Sequence, residues 1–303
     1  VVVPELRRGD LDLVYSRRGT GEPVLLITGS GGRARAWDAY QVPALVRAGY
    51  QTVAFDNRGS APGPTKPFSL DDMVEDAAHL IEALDLAPCR VVGTSLGAIV
   101  AQELALRRPG LLRQAVFMAT RGRTDAMRRA MVTAEIEQSL GGATVSPAHR
   151  GVLRAMQNLS QSTLGDDSRA QDWMALMEGP LDVSEGYRYQ LESTLIPNRL
   201  KNYESIRVPC AVISFSDDVI TPPHLGREVA DAVEGCHYIE IPRCGHYGHL
   251  EDPRSVNDAL TAFFADQPEQ KKAGVPGAGP DSAQRGVGPE RGHGVLDGQT
   301  GAS

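Results

Sequence analysis

Apolar positions in this chain follow two alternating rhythms. Runs such as Pro23-Val24-Leu25-Leu26-Ile27-Thr28 are apolar at nearly every position, as in a strand covered on both faces. Similar runs at 51–56, 114–118 and 208–215, with one ending at Val91-Val92, predict further strands, and His237-Tyr238-Ile239-Glu240-Ile241 predicts another. Helical periodicity separates them. Residues 70–86 place Met73, Ala77, Leu80, Ile81 and Leu84 on one face, with Asp71 and Asp72 in the first turn, where negative charge is favoured. Helices are also predicted over 38–48, 98–106, 223–234 and 254–265, and the alternating piece at 11–15 predicts an opening hairpin. Apolar strands alternating with helices point to an α/β fold, with a mostly parallel central sheet flanked by helices.

Between residues 121 and 203 this rhythm stops. The segment reads as helical, polar and rich in methionine (Met127, Met131, Met156, Met174, Met177), with Trp173 among them. Methionine adapts to irregular apolar partners. The expectation is therefore a helical cap forming one wall of an apolar pocket, with ordinary helical core filler as the alternative at each position. The chain then divides into a first core part (1–120), the cap (121–203), a second core part (204–266) and a Gly/Pro/Gln/Ser-rich tail (267–303) with the composition of a disordered segment.

Chemistry concentrates where one strand gives way to a helix. Gly93-Thr94-Ser95-Leu96-Gly97 is a G-x-S-x-G arrangement, in which a sharp turn lifts a serine hydroxyl clear of the sheet. A serine that merely caps the following helix is the alternative. That alternative weakens if a base and an orienting carboxylate follow, because hydrolysis by a serine requires both. Asp217 and Asp218 lie past the strand ending near Phe215, and His246 lies past the one ending at Ile241. Both positions fall at the carboxyl edge of the sheet, where ligands bind in open α/β folds. The chain order is Ser, Asp, His, as expected for this turn.

Several ordered blocks carry a family resemblance. They are Leu25-Leu26-Ile27-Thr28-Gly29-Ser30, Phe55-Asp56-Asn57-Arg58-Gly59, the elbow itself, Asp218-Val219-Ile220-Thr221-Pro222, and Gly245-His246 with Glu251-Asp252-Pro253. Over roughly residues 10–265 the sequence resembles the α/β-hydrolase superfamily. It is especially similar to cap-bearing bacterial esterases, thioesterases and cofactor-free haloperoxidase-like hydrolases. The resemblance implies Ser95 as nucleophile and His246 as base. It favours Asp218 over Asp217 as the orienting carboxylate, because the family's proline follows that aspartate by four residues. It also implies an oxyanion hole made by the backbone N–H groups of Ser30 and Leu96. Thr28 departs from the pattern, since most relatives carry a histidine there. Candidates for lining the pocket or supporting its loops are Gly29, Asp56, Arg58, Met127, Trp173, Asp217 and His249. His249 is read as a surface or pocket-lining residue, Asp217 as a loop carboxylate facing water or capping its turn, and Asp56 and Arg58 as supports for the oxyanion loop. His224 is read as structural or at the pocket rim.

Composition narrows the classes. The 303 residues carry a net charge of −7, with arginine pairs scattered rather than clustered, so no nucleic-acid footprint is expected. The longest apolar runs are far below membrane-spanning length, and the first residues lack a signal-peptide pattern, which reads as a cytoplasmic protein. Four cysteines make no disulfide framework in a chain this long. A zinc reading of Cys236, His237, Cys244 and His246 is disfavoured because the site would have to cross a strand. The function expected is a serine hydrolase acting on an ester or thioester of a moderately apolar acyl group, a small molecule that a carrier or CoA can bear, with no cofactor or metal. Two alternatives stand beside it: a secondary-metabolite tailoring enzyme performing acyl transfer, cyclisation or C–C cleavage, and a non-catalytic ligand-binding protein.

Overall fold

The computed structural model describes residues 4–9, 11–60, 65–141, 145–179 and 184–266; the predicted disordered tail at 267–303 lies outside them. Among the described residues, eight strands form one sheet in the order β1-β2-β4-β3-β5-β6-β7-β8. Strands β1 (Glu5–Arg8) and β2 (Leu11–Arg18) make the antiparallel opening hairpin, and β2 pairs antiparallel with β4 (Gln51–Phe55). The remaining pairings are all parallel, through β3 (Pro23–Ile27), β5 (Cys89–Thr94), β6 (Leu112–Met118), β7 (Cys210–Phe215) and β8 (His237–Ile241). Strand β3 lies between β4 and β5. The chain therefore leaves β3 towards one side and later returns on the other, which opens a crevice at the carboxyl ends of β3 and β5.

The near-continuous apolar strands are explained by two covered faces. Leu25, Ile27 and Val91 point into a core with Met73, Val74, Leu80, Ile81, Leu104 and Val229. Their neighbours Val24, Leu26 and Val92 point the other way, onto Trp37, Val42, Leu45, Val256, Leu260 and Phe264. Helices α1 (Gln41–Arg47), α2 (Leu70–Ala83) and α3 (Leu96–Arg107) complete the first half of the core. The helix predicted over 38–48 divides into a 3-10 turn at Ala34–Ala39 and α1. Pro43 has no N–H to donate and is tolerated only in a first turn, so the α-helix starts just before it.

Between β6 and β7 the chain inserts α4 (Ala126–Gly141), α5 (Pro147–Asn158), α6 (Gln161–Leu164), α7 (Asp167–Met177), α8 (Glu185–Ser193) and α9 (Leu200–Tyr203). Helices α10 (Pro223–Ala232), α11 (Gly248–Glu251) and α12 (Pro253–Ala265) accompany the last two strands. Among the described residues no helix is long and apolar enough to cross a membrane.

The insertion has a small core of its own at Ala155, Leu159 and Met177, with Trp173, Met174 and Tyr247 against it. It meets the sheet domain at close range where α8 crosses the loop after β4. A Cβ at Gly59 would stand 2.7 Å from the Gly186 carbonyl oxygen, and one at Gly186 would collide with Gly59 in turn. The methionines do not form the expected apolar wall. Met127 and Met156 are 65% and 61% exposed, and of the insertion's five methionines named above only Met177 is buried. Helix α4 turns Arg128, Val132 and Glu135 inward, which sends Met127 to solvent.

The elbow depends on contacts that leave no room for side chains. A Cβ at Gly97 would collide with the carbonyl oxygens of Ile27 and Thr28, and one at Gly93 with the backbone of Gly97. Gly97→Ala is therefore expected to destabilise the protein by about 1–3 kcal/mol, read as a lowered urea midpoint; an unchanged midpoint would show that this contact is not constraining.

Candidate active site

Strand β5 ends at Thr94, and Ser95 turns the chain into α3 with φ 55° and ψ −119°. A non-glycine residue is strained there and persists only when its surroundings fix it. The Ser95 N–H donates to the Met118 carbonyl of neighbouring β6 at 3.0 Å, and the Ser95 carbonyl accepts from the N–H groups of Ala98 and Ile99. The hydroxyl makes no capping bond to its own helix. It meets His246 Nε2 at 3.0 Å instead.

On the other side of the imidazole, Nδ1 stands 2.8 Å from Asp218 Oδ2. Both residues are buried. The Asp218 carboxylate is fully engaged: Oδ1 accepts from the N–H groups of Ile220 and Thr221 at 2.8 and 2.9 Å, and Oδ2 also accepts from the Thr221 hydroxyl at 2.7 Å. Such a carboxylate is held in one orientation, which fixes the plane and tautomer of the ring it faces. Asp217 points elsewhere. It accepts from the Ser216 hydroxyl and from the Gln161 N–H at the start of α6, so it ties the insertion to the loop after β7 rather than facing water. His224 is exposed in the first turn of α10.

The loop after β3 passes directly beside the serine. A Cβ at Gly29 would lie 3.1 Å from Ser95 Cβ and 3.6 Å from its Oγ. Thr28 is buried, and Asn57 Nδ2 donates to its carbonyl at 2.9 Å, bracing the loop where relatives carry a histidine. Asp56 accepts from the Ala34 N–H and the Arg33 guanidinium, which fixes the far end of the same loop. Arg58 does not support that loop with its side chain: it forms an ion pair with Asp76 on α2, because a buried carboxylate there needs a counter-charge. Gln190 of α8, fully buried, supplies a further brace. It accepts from the Gly31 N–H at 2.8 Å and donates to the Arg58 carbonyl at 2.7 Å. The histidine loop is pinned in a similar way by Glu251, which accepts from the Gly245 N–H and from the N–H and hydroxyl of Ser160.

Residues of the insertion close over the site. The Tyr247 ring lies 6.2 Å from that of His246 and 6.5 Å from that of Trp173. Tyr187 of α8 stands against Gly31, where a Cβ would be 3.0 Å from its ring. Glu135 is half-buried; burial raises its carboxyl above the ordinary range, opposed by the positive fields of Arg128, His246 and Arg154 and by the Tyr187 hydroxyl. His249 is buried against Trp37, not at the surface, and among the described residues its Nδ1 has no hydrogen-bond partner. A separate cleft of about 440 Å³ opens between α2, α3 and the end of the insertion and contains none of these residues.

The Alpha/beta hydrolase family model matches residues 24–259. The chain belongs to the alpha/beta hydrolase family. It is 46% identical over 257 residues to a Mycobacterium tuberculosis protein named "Putative non-heme bromoperoxidase BpoC", a match spanning 84% of this chain and 98% of that one. The crystal structure of that protein superposes with a TM-score of 0.82 at 45% identity, covering 85% of this chain and 97% of that one. Rhodomycin D methylesterase DauP of a Streptomyces species is 29% identical over 271 residues, spanning 79% of this chain and 88% of that protein. A carbamate hydrolase, RutD of Variovorax paradoxus, named only as putative, is 33% identical over 250 residues, spanning 81% and 92%.

Burial, reinforced by the nearby His246, pushes the His249 pKa down from 6.5 to about 3. The folded protein keeps this ring neutral while the unfolded chain protonates it below about 6.5. The associated stability is thus complete above pH 6.5 and is lost as pH falls towards 3. His249→Phe should remove up to about 1.4 kcal/mol per pH unit from the acid slope of unfolding free energy. Urea titrations at several pH values between 7 and 4 would show this, and an unaltered slope would contradict it.

Proposed function

We propose that this protein is a serine hydrolase that cleaves an ester or thioester of a small molecule through an acyl-enzyme on Ser95. One observation carries the reading: the unbroken line from Asp218 through His246 to Ser95, at 2.8 and 3.0 Å. In the first step His246 Nε2 takes the Ser95 proton as Oγ attacks the carbonyl carbon. Asp218 holds Nδ1–H and stabilises the imidazolium that forms. The carbonyl oxygen, now an oxyanion, is received by the N–H groups of Ser30 and Leu96. Leu96 opens α3, and an N–H at that position has no acceptor inside its own helix. The imidazolium then gives its proton to the departing alcohol or thiol. Water, deprotonated by the same ring, attacks the acyl-enzyme, and the acid leaves as the Ser95 hydroxyl is restored. No step requires a cofactor.

Residues 121–203 act in this reading as the cap that selects the substrate. The similarity to a named methylesterase supports ester chemistry, whereas the similarity to BpoC leaves the acceptor open, because peroxide can replace water at the acyl-enzyme stage. An acyl-transfer or cyclisation reaction would likewise change only the acceptor.

Ser95→Ala is expected to abolish nitrophenyl-ester hydrolysis and fluorophosphonate labelling with the circular dichroism unchanged; retained hydrolysis would remove Ser95 as nucleophile. Asp218→Asn should lower kcat about ten-thousandfold, whereas Asp217→Asn should cost far less, and the reverse ranking would exchange their roles. The product mass separates hydrolysis, which adds water, from transfer or cyclisation, which does not.

A further inference from the structure

We infer that the pocket over Ser95 takes a substrate bearing a carboxylate, and that Arg128 is the residue that receives it. The inference rests on the reading of Ser95 as nucleophile for the position of the scissile bond, though not for the anion site itself. Arg128 lies in the first turn of α4 and is 5% exposed. Among the described residues its guanidinium makes no hydrogen bond or ion pair, and its Nε is buried without a partner. A buried charge in that state is unfavourable unless something pairs with it.

The neighbours do not supply the pairing. Arg121, 1% exposed just past β6, donates from Nη2 to the Thr194 carbonyl at 2.7 Å and leaves its own Nε unpaired. Burial and the adjacent Arg128 charge together lower its pKa to about 9, although Asp125, Asp218 and Tyr203 pull the other way. Arg154 of α5 donates to the Met177 carbonyl, which offers no negative charge. Of the carboxylates in reach, Asp218 is committed to Thr221, Ile220 and His246, and Asp125 accepts from the backbone N–H of Arg128. Glu135, two turns along the same face of α4, is the remaining one, and it forms no ion pair with any of the three arginines. Among the described residues no carboxylate of this region stands within ion-pair distance of the Arg128 guanidinium, although Asp125, Asp218 and Glu135 all lie nearby.

The site lies close to Ser95 and His246. Tyr187, whose hydroxyl faces Glu135, touches Gly31 of the loop beside Ser95, and Glu135 lies within the field of His246. A carboxylate presents two coplanar acceptors that match the guanidinium fork. A neutral alkyl chain in the same place would leave Arg128 unpaired. A dianionic group would be opposed by Glu135.

The test compares nitrophenyl hemiesters of succinate and glutarate with neutral nitrophenyl esters of equal chain length. The native protein should favour the hemiester in kcat/KM by at least tenfold. Arg128→Met should reduce that ratio at least tenfold, through both KM and kcat, with Arg128→Lys restoring part of it. A native preference for the neutral ester, or equal losses on both substrates in Arg128→Met, would overturn the inference. Glutarate binding to Ser95→Ala by calorimetry gives an independent readout: it should be measurable and should weaken at least tenfold when Arg128→Met is added. If fluorophosphonate labels Ser95 but glutarate fails to bind, the nucleophile stands and the carboxylate site falls. If Ser95→Ala still hydrolyses esters while glutarate binding depends on Arg128, the site stands and the nucleophile is wrong.

Discussion

The first turn of α3 rests on the last carbonyl groups of β3, and the chemistry of this chain depends on that contact. It is possible only because Gly97 presents hydrogen to the Ile27 and Thr28 oxygens and Gly93 presents hydrogen to the Gly97 backbone. With helix and strand this close, Ser95 has to cross from β5 to α3 in a single strained residue, and the loop leaving β3 has to pass beside it. Ser95 and the loop that would receive the oxyanion in the proposed mechanism are thus positioned by one packing event. The split of the chain around β3 keeps the space above them open to a ligand.

The insertion is joined to this centre at few points, and those points lie on the loops that carry the chemistry. Gln190 bonds the Gly31 N–H, Glu251 bonds Gly245 and Ser160 together, and Asp217 bonds the start of α6. The close approach of Gly59 to Gly186 fixes α8 against the sheet domain. A shift of the insertion therefore moves the oxyanion loop and the histidine loop along with it. Substrate contacts made by the insertion can act on the geometry of the triad through these few hydrogen bonds, and not only by shaping the pocket.

What could be read from the sequence follows from how local each signal is. Strands β3, β5 and β7 announce themselves because burial on both faces leaves an unbroken apolar run. Ser95, Asp218 and His246 were identifiable because each stands just past a strand end, and the structure brings their side chains together. The split before α1 lay outside a periodicity argument, since Pro43 acts through a missing N–H rather than through hydropathy. Gln190 could not be singled out: it bonds backbone far away in the chain, and nothing local distinguishes it from solvated neighbours. Glu251 stood in the histidine block, but its bonds to Ser160 join it to a distant part of the chain. The methionine-rich helices misled for a related reason. In a polar amphipathic helix a solvated arginine and a buried one look alike; here Met127 faces solvent and Arg128 is buried, the reverse of what their polarity suggests.

That reversal bears on the reaction itself. In the proposed mechanism His246 becomes an imidazolium as Ser95 attacks, and a positive charge nearby would oppose that change. Asp218 faces the imidazole directly, Glu135 lies within its field, and Arg128 lies beside both Glu135 and Arg121. A carboxylate bound at Arg128, as inferred above, would place negative charge there at the moment it positions the scissile carbonyl. Binding energy from a remote part of the substrate would thereby be spent on the charge that develops in the transition state, the condition under which binding raises kcat rather than only lowering KM. A substrate of the same length without the carboxylate would leave the Arg128 guanidinium without an ionic partner. Discrimination would then lie in the chemical step as well as in affinity, with the charge of the pocket, rather than its apolar surface, deciding what Ser95 acts on.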